Sequence, residues 1–154
     1  MTIYTDGSCS YNGDFDAAGG FGVVAVDDDK IFTYAHREIG TTNNRQEIKA
    51  VLYALFQFGD QFLAPTVYCD SAYVVNIFND WMFRWASNNW RKSDNKIPEN
   101  LDLIQAYYEA YQKGYRINLK KIPGHSGNKW NDMADKLAKG ELKPTYDWEK
   151  INGK

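Results

Sequence analysis

Four acids and one histidine carry the chemistry legible in this chain. Asp6 ends the run Thr2-Ile3-Tyr4-Thr5-Asp6, whose β-formers predict a short strand closed by the turn residues Gly7-Ser8. Asp70 ends a second compact run, Thr66-Val67-Tyr68-Cys69-Asp70. Glu47 falls in the first turn of a helix opened by Thr41-Thr42-Asn43-Asn44. Asp135 lies at the edge of the apolar face of the last helix, whereas Asp132, at about 100° per residue, points almost directly away from it. Any one of these acids is a common turn or cap residue. Gathered at one place, carboxylates repel one another unless a cation sits among them. Hard oxygen ligands suit Mg²⁺ or Mn²⁺ rather than zinc. Two such ions roughly 4 Å apart form the clamp for phosphodiester hydrolysis, one activating water and one stabilising the leaving oxygen. His125, in the glycine-flanked loop Pro123-Gly124-His125-Ser126-Gly127-Asn128, suits proton shuttling.

The elements between these residues must bring them together. Phe21–Val26 and Lys30–Ile39 read as strands joined by the turn Asp27-Asp28-Asp29, which with the first strand make an antiparallel meander. Ile48, Val51, Leu52, Leu55 and Phe56 recur at the spacing of one buried helical face. Ser71 caps a helix through Val74, Val75 and Phe78, Leu101–Tyr111 reads as another helix, and Arg116–Ile122 alternates as a strand. Trp130, Ala134, Leu137 and Ala138 mark the apolar side of the final helix. Strands that follow helices can lie parallel to the first strand by crossover connections. The expected fold is therefore α/β: a mixed five-stranded sheet, three antiparallel strands plus two parallel, flanked by helices. In such sheets ligands gather outside the carboxyl ends of the parallel strands, where Asp6 and Asp70 fall. The expected division is a catalytic domain over 1–140 and a loosely packed C-terminal extension over 141–154.

At 154 residues, 44% hydrophobic and 25% charged, the chain has the size and composition of one soluble domain with a real core. No apolar run reaches the roughly 20 residues of a membrane span, and with the first strand starting at once no leader peptide is expected. Cys9 and Cys69 lack zinc spacing and read as reduced thiols, so the expected compartment is the cytoplasm. Net charge is −2, yet the cations are clustered. Arg84, Arg91, Lys92 and Lys96 interleave with Trp81, Phe83, Trp85 and Trp90, and Lys113, Arg116, Lys120, Lys121 and Lys129 follow in a stretch without acids. Such patches, more than the total charge, set the field a phosphate backbone meets.

The pieces Thr5-Asp6-Gly7-Ser8-Cys9, Thr41-Thr42-Asn43-Asn44-Arg45-Gln46-Glu47, Asp70-Ser71-Ala72-Tyr73-Val74, and Gly124-His125-Ser126-Gly127 with Asn131 and Ala134-Asp135-Lys136-Leu137-Ala138 resemble type 1 ribonuclease H. The resemblance runs from Thr2 to about Gly140. It implies the fold above, two Mg²⁺ ions per site with Mn²⁺ as the alternative, and endonucleolytic cleavage of the RNA strand of an RNA–DNA hybrid with little sequence preference, leaving 5′-phosphate and 3′-hydroxyl ends. It also implies that Asp6, Glu47, Asp70 and Asp135 hold the metals and that His125 is the mobile loop histidine. Asn12, Thr42, Asn43 and Asn44 would meet the hybrid near its minor groove, where Asn can serve a 2′-hydroxyl as donor or acceptor. Trp81–Lys96, with Trp81, Arg84, Trp85, Trp90, Arg91, Lys92 and Lys96, resembles the basic protrusion by which bacterial members grip the DNA strand. No obligate protein partner or membrane is implied, and a monomer is expected. The chain departs from the family pattern in its longer, acidic loop Tyr11–Asp16, in Ala72 where some members carry Gln, and in a less basic protrusion, and no separate N-terminal hybrid-binding module is expected.

Overall fold

The computed structural model describes residues 1–10, 17–123 and 127–151. Strands β1 (Thr2–Cys9), β2 (Ala18–Asp27) and β3 (Lys30–Ile39) form the antiparallel meander. Helix α1 (Asn43–Phe58) crosses to β4 (Thr66–Cys69), which pairs parallel to β1. A bent helical run follows: α2 (Ala72–Asn76), a π-helical turn over Ile77–Trp81, and α3 (Met82–Ser87). Helix α4 (Leu101–Gln112) leads to β5 (Asn118–Lys121), parallel to β4, and α5 (Lys129–Ala138) follows. The expected mixed sheet gains a sixth strand, β6 (Trp148–Lys150), and the strand order is β5-β4-β1-β2-β3-β6.

That sixth strand corrects the expectation of a loosely packed tail. β6 pairs antiparallel with β3, and Trp148 packs its ring 5.8 Å from Phe32 and 6.2 Å from Phe58. Thr145 and Thr33 exchange hydrogen bonds, the Thr145 N–H donating to Thr33 Oγ1 at 2.8 Å and the Thr33 N–H to Thr145 Oγ1 at 3.2 Å. A three-residue strand is too short to show alternation, so its pairing was invisible to periodicity.

The two faces of the sheet carry different cores. Ile3, Val23 and Ala25 face α1, whose Ile48, Val51 and Leu55 are fully buried against them, and the cluster continues through Val74, Phe78 and Ile104. On the other face Val24 meets Ala134 and Leu137 of α5 in a smaller cluster. Two glycines set how closely the helices approach. A Cβ at Gly22 would lie 2.4 Å from the Ala134 carbonyl oxygen, and one at Gly7 would lie 2.3 Å from the Glu47 backbone nitrogen. Hydrogen lets both helices sit directly on the central strands, and that closeness places the acids.

Candidate active site

The acids converge at the carboxyl ends of β1 and β4. Asp6 stands opposite Gly22 in the β1–β2 register and so shares the α5 face. Its side chain hydrogen-bonds Asp135 of α5 and also Glu47, which the Gly7 approach delivers from α1 on the opposite side. Asp70 adds its charge from the end of β4. Asp135 is half-buried and Asp132 exposed, in keeping with their helical angles. Asn128 caps α5, accepting from the N–H groups of Trp130 and Asn131, and Thr42 caps α1 by accepting from the Arg45 N–H at 3.1 Å.

Charge is crowded here. Asp6 is only 7% exposed, and burial, reinforced by Glu47 and then by Asp135 and Asp70, pushes its carboxyl up to about 10. Burial and the Asp70 charge raise Glu47 to about 7, against the lowering effect of hydrogen bonds from Asp6, the Gly7 N–H and the Cys69 thiol. A pair of buried carboxyls that hold protons this tightly is a site built for a positive charge. One oxygen each from Glu47 and Asp70 lie within 4.8 Å of each other, a spacing one ion can bridge, with Cys69 Sγ in the same cluster. The donor set therefore fits divalent cations. Lys139 already supplies one cation at the rim, its Nζ 3.0 Å from Asp135 Oδ2.

The remaining candidates fall in three places. Asn43 and Asn44 are exposed at the start of α1. Arg45 steadies that end of the helix by binding both oxygens of Asp102 on α4, at 2.7 and 3.1 Å, and Asn100 Oδ1 at 3.2 Å. Trp81, Arg84, Trp85, Arg91 and Lys92 line an open groove of about 450 Å³ together with Asn88 and Ser93. Trp90 and Lys96 are not in its lining: Trp90 turns its ring edge-on to Tyr108 of α4, 5.2 Å away, and Lys96 is exposed beyond it. Trp90 adopts the left-handed backbone, φ 59°, so this packing holds a conformation that a bulky side chain avoids. Asn12 and His125 lie outside the described residues.

The thiol of Cys69 at this site was missed in the sequence. It is fully buried beneath Glu47, and burial and the neighbouring acids raise it well above its ordinary value, so it stays protonated. Its place one residue before a strand-end acid was the available signal.

A mixed sheet of this order, with acids from four elements gathered at its carboxyl edge, defines a ribonuclease H-like fold around a carboxylate cation site. The RNase H family model matches residues 1–143, and the chain belongs to that family. It is 39% identical over 148 residues to Ribonuclease HI of Haemophilus influenzae, covering 96% of this chain and 93% of that one. The crystal structure of LC9-RNase H1, a type 1 RNase H with the type 2 active-site motif, superposes with a TM-score of 0.75 at 27% identity, covering 98% of this chain and 77% of that one. The solution structure of the PFV RNase H domain, 24% identical and covering 91% of this chain and 92% of that one, shares the fold with a TM-score of 0.78. These relatives assign the chain to the ribonuclease H enzymes. Among the described residues no helix is long and apolar enough to cross a membrane.

Proposed function

We propose that this chain is a monomeric cytoplasmic enzyme that cleaves the RNA strand of RNA–DNA hybrids internally, leaving 5′-phosphate and 3′-hydroxyl ends. The observation that carries the reading is the Asp6 carboxyl, buried between Glu47 and Asp135 and facing the Asp70 charge. Asp6, Glu47, Asp70 and Asp135 would hold two Mg²⁺ ions, with Mn²⁺ as a substitute. When bound, such ions supply an activated water and charge stabilisation for the leaving oxygen.

The chain's own residues do the rest. Asp6 and Glu47 lose their protons as they take up positive charge, because the repulsion that holds those protons is then offset. Asp135 is oriented by Lys139, whose Nζ lies 3.0 Å from its Oδ2. His125 accepts or returns a proton at the scissile phosphate. Asn12, Thr42, Asn43 and Asn44 read the minor groove by its 2′-hydroxyls, which separates hybrid from duplex DNA. The groove of Trp81, Arg84, Trp85, Arg91 and Lys92 seats the backbone of the DNA strand, with Lys96 and Trp90 at its margin. Such contacts read backbone and shape, so cleavage should vary little with sequence. Residues 1–140 form the catalytic domain in this reading, and the extension over 141–154 closes the sheet edge through β6.

The test is cleavage of end-labelled hybrid, single-stranded RNA and duplex DNA of one sequence in Mg²⁺. Cleavage confined to the RNA of the hybrid, with products that a polymerase extends from their 3′ ends, is expected. Equal cleavage of duplex DNA, or none of any substrate, overturns the reading.

A further inference from the structure

We infer that Cys69 is a positioning residue for Glu47, setting how tightly the acid cluster takes up its divalent cation; the inference rests on the metal-dependent reading of this site. Cys69 ends β4, paired in register with Thr5 of β1, and its side chain is fully buried on the α1 face of the sheet. Its Sγ is held from one side, where the Ser71 N–H donates to it at 3.4 Å. On the other side the thiol donates to Glu47 Oε2 at 3.7 Å, and its alternative acceptor, the Ser71 carbonyl, lies farther off at 4.0 Å.

The consequence is geometric. Glu47 is 8% exposed and reaches the cluster from α1, across the Gly7 gap. A buried carboxylate that must present one oxygen to a cation needs the other fixed, or it rotates away. The thiol and the Gly7 N–H fix it from below. Ser71 caps α2 through its own hydroxyl, accepting from the Val74 N–H at 3.2 Å, so the residue that holds Sγ is itself fixed. The Sγ, one Glu47 oxygen and one Asp70 oxygen thus form one unit, all within 4.8 Å of one another, with the thiol as brace and the carboxylates free to face a cation.

Cys69→Val and Cys69→Thr test the role. Both fill the site with the same branched shape suited to a strand, and only Thr has a hydroxyl to donate. Mn²⁺ binding is measured by calorimetry without hybrid, Mg²⁺ activation by hybrid cleavage, and folding by thermal melting. Cys69→Val should need about tenfold more ion for half-maximal binding and activation, the effect of removing one hydrogen bond to a charged group. The Michaelis constant for hybrid at saturating ion should not move, and Cys69→Thr should stay within about threefold of wild type. Wild-type ion affinity in Cys69→Val overturns the inference, and so does equal weakening in both variants, which would make the residue a packing element. Absence of Mn²⁺ binding by the wild-type chain overturns the metal reading and this inference together. Mn²⁺ binding without hybrid cleavage overturns only the substrate.

Discussion

The acid end of the sheet and the Trp-Arg segment over residues 81–96 are built on opposite principles. The acids sit on four elements that packed cores lock together, with glycine at Gly7 and Gly22 removing the last ångströms between helix and strand. Asp6 and Glu47 are buried against one another, and their crowding appears as raised affinity for protons. The segment over 81–96 keeps Arg84, Arg91 and Lys96 in solvent and Lys92 half-buried in the open groove. Among the described residues Arg84 pairs with the exposed Asp80 at i,i+4, and Arg91 binds the Asn95 carbonyl oxygen at 3.3 Å. Its apolar side chains anchor it to the core, Met82 fully buried, Trp81 against Tyr73, and Trp90 and Phe83 against Tyr108. Chemistry needs atoms held to fractions of an ångström. Gripping a phosphate backbone needs charge at the right surface and tolerates adjustment. Damage to the first region should therefore act on turnover, and damage to the second on binding.

The largest effect should come from Asp70→Asn. It keeps the shape at the end of β4 while removing the charge that faces Asp6 and Glu47. Turnover in Mg²⁺ should fall roughly a thousandfold or more, the loss expected when a catalytic ion is no longer held, while hybrid binding in a filter assay persists. Turnover within tenfold of wild type would sink the assignment. The last helix offers an internal control. Asp135→Asn should cripple turnover because Asp135 hydrogen-bonds Asp6, whereas the exposed Asp132 should tolerate the same change. The reverse ranking would mean that α5 is turned relative to the cluster when substrate is bound.

The same contrast decided what could be read in the sequence. The strand-end acids were legible because period-two runs closed by turn residues announce where a strand stops, and Asp135 because 100° per residue separates it from Asp132. The closeness of α1 to β1 was not legible: Gly7 reads as a turn residue, and its purpose depends on Glu47, forty positions away. Cys69 was hidden for the same reason, since only the folded chain puts Sγ under Glu47. In the basic segment composition was informative and direction was not. Nothing in the pattern told that Trp90 turns toward Tyr108 while Trp81 and Trp85 line the groove. The tail was read as loose because β6 has three residues, and its partner strand is more than a hundred positions back.

The exposed region should respond to charge removal alone. With Arg84, Arg91, Lys92 and Lys96 all changed to Ala, the Michaelis constant for hybrid should rise about tenfold. The slope of log affinity against log salt should flatten by about 0.7 to 0.9 for each phosphate that is no longer neutralised. Turnover at saturating hybrid should hold, because the acids lie elsewhere, and the weakening should be the same for unrelated sequences. An unchanged salt slope would move the grip to Lys113, Arg116, Lys120 and Lys121.

The smallest effect should appear in stability, and it has the opposite sign from a usual active-site lesion. Asp6 in the folded, ion-free chain holds its proton up to about 10, against 3.8 for the ordinary carboxyl. Between those values the native state binds more protons than the unfolded one, so stability falls as pH rises. This contribution is fully favourable only below the unfolded value. Asp6→Asn removes the titrating group and keeps the amide within reach of Glu47 and Asp135. In EDTA the variant should melt higher than wild type, by on the order of 1–2 kcal/mol of added stability at neutral pH, with the gap widening from pH 5 to pH 9. Excess Mg²⁺ should close the gap by stabilising wild type more than the variant, since only wild type keeps the full cluster. A variant that melts below wild type in EDTA across this range would mean that Asp6 contributes more through its hydrogen bonds than it costs through its burial.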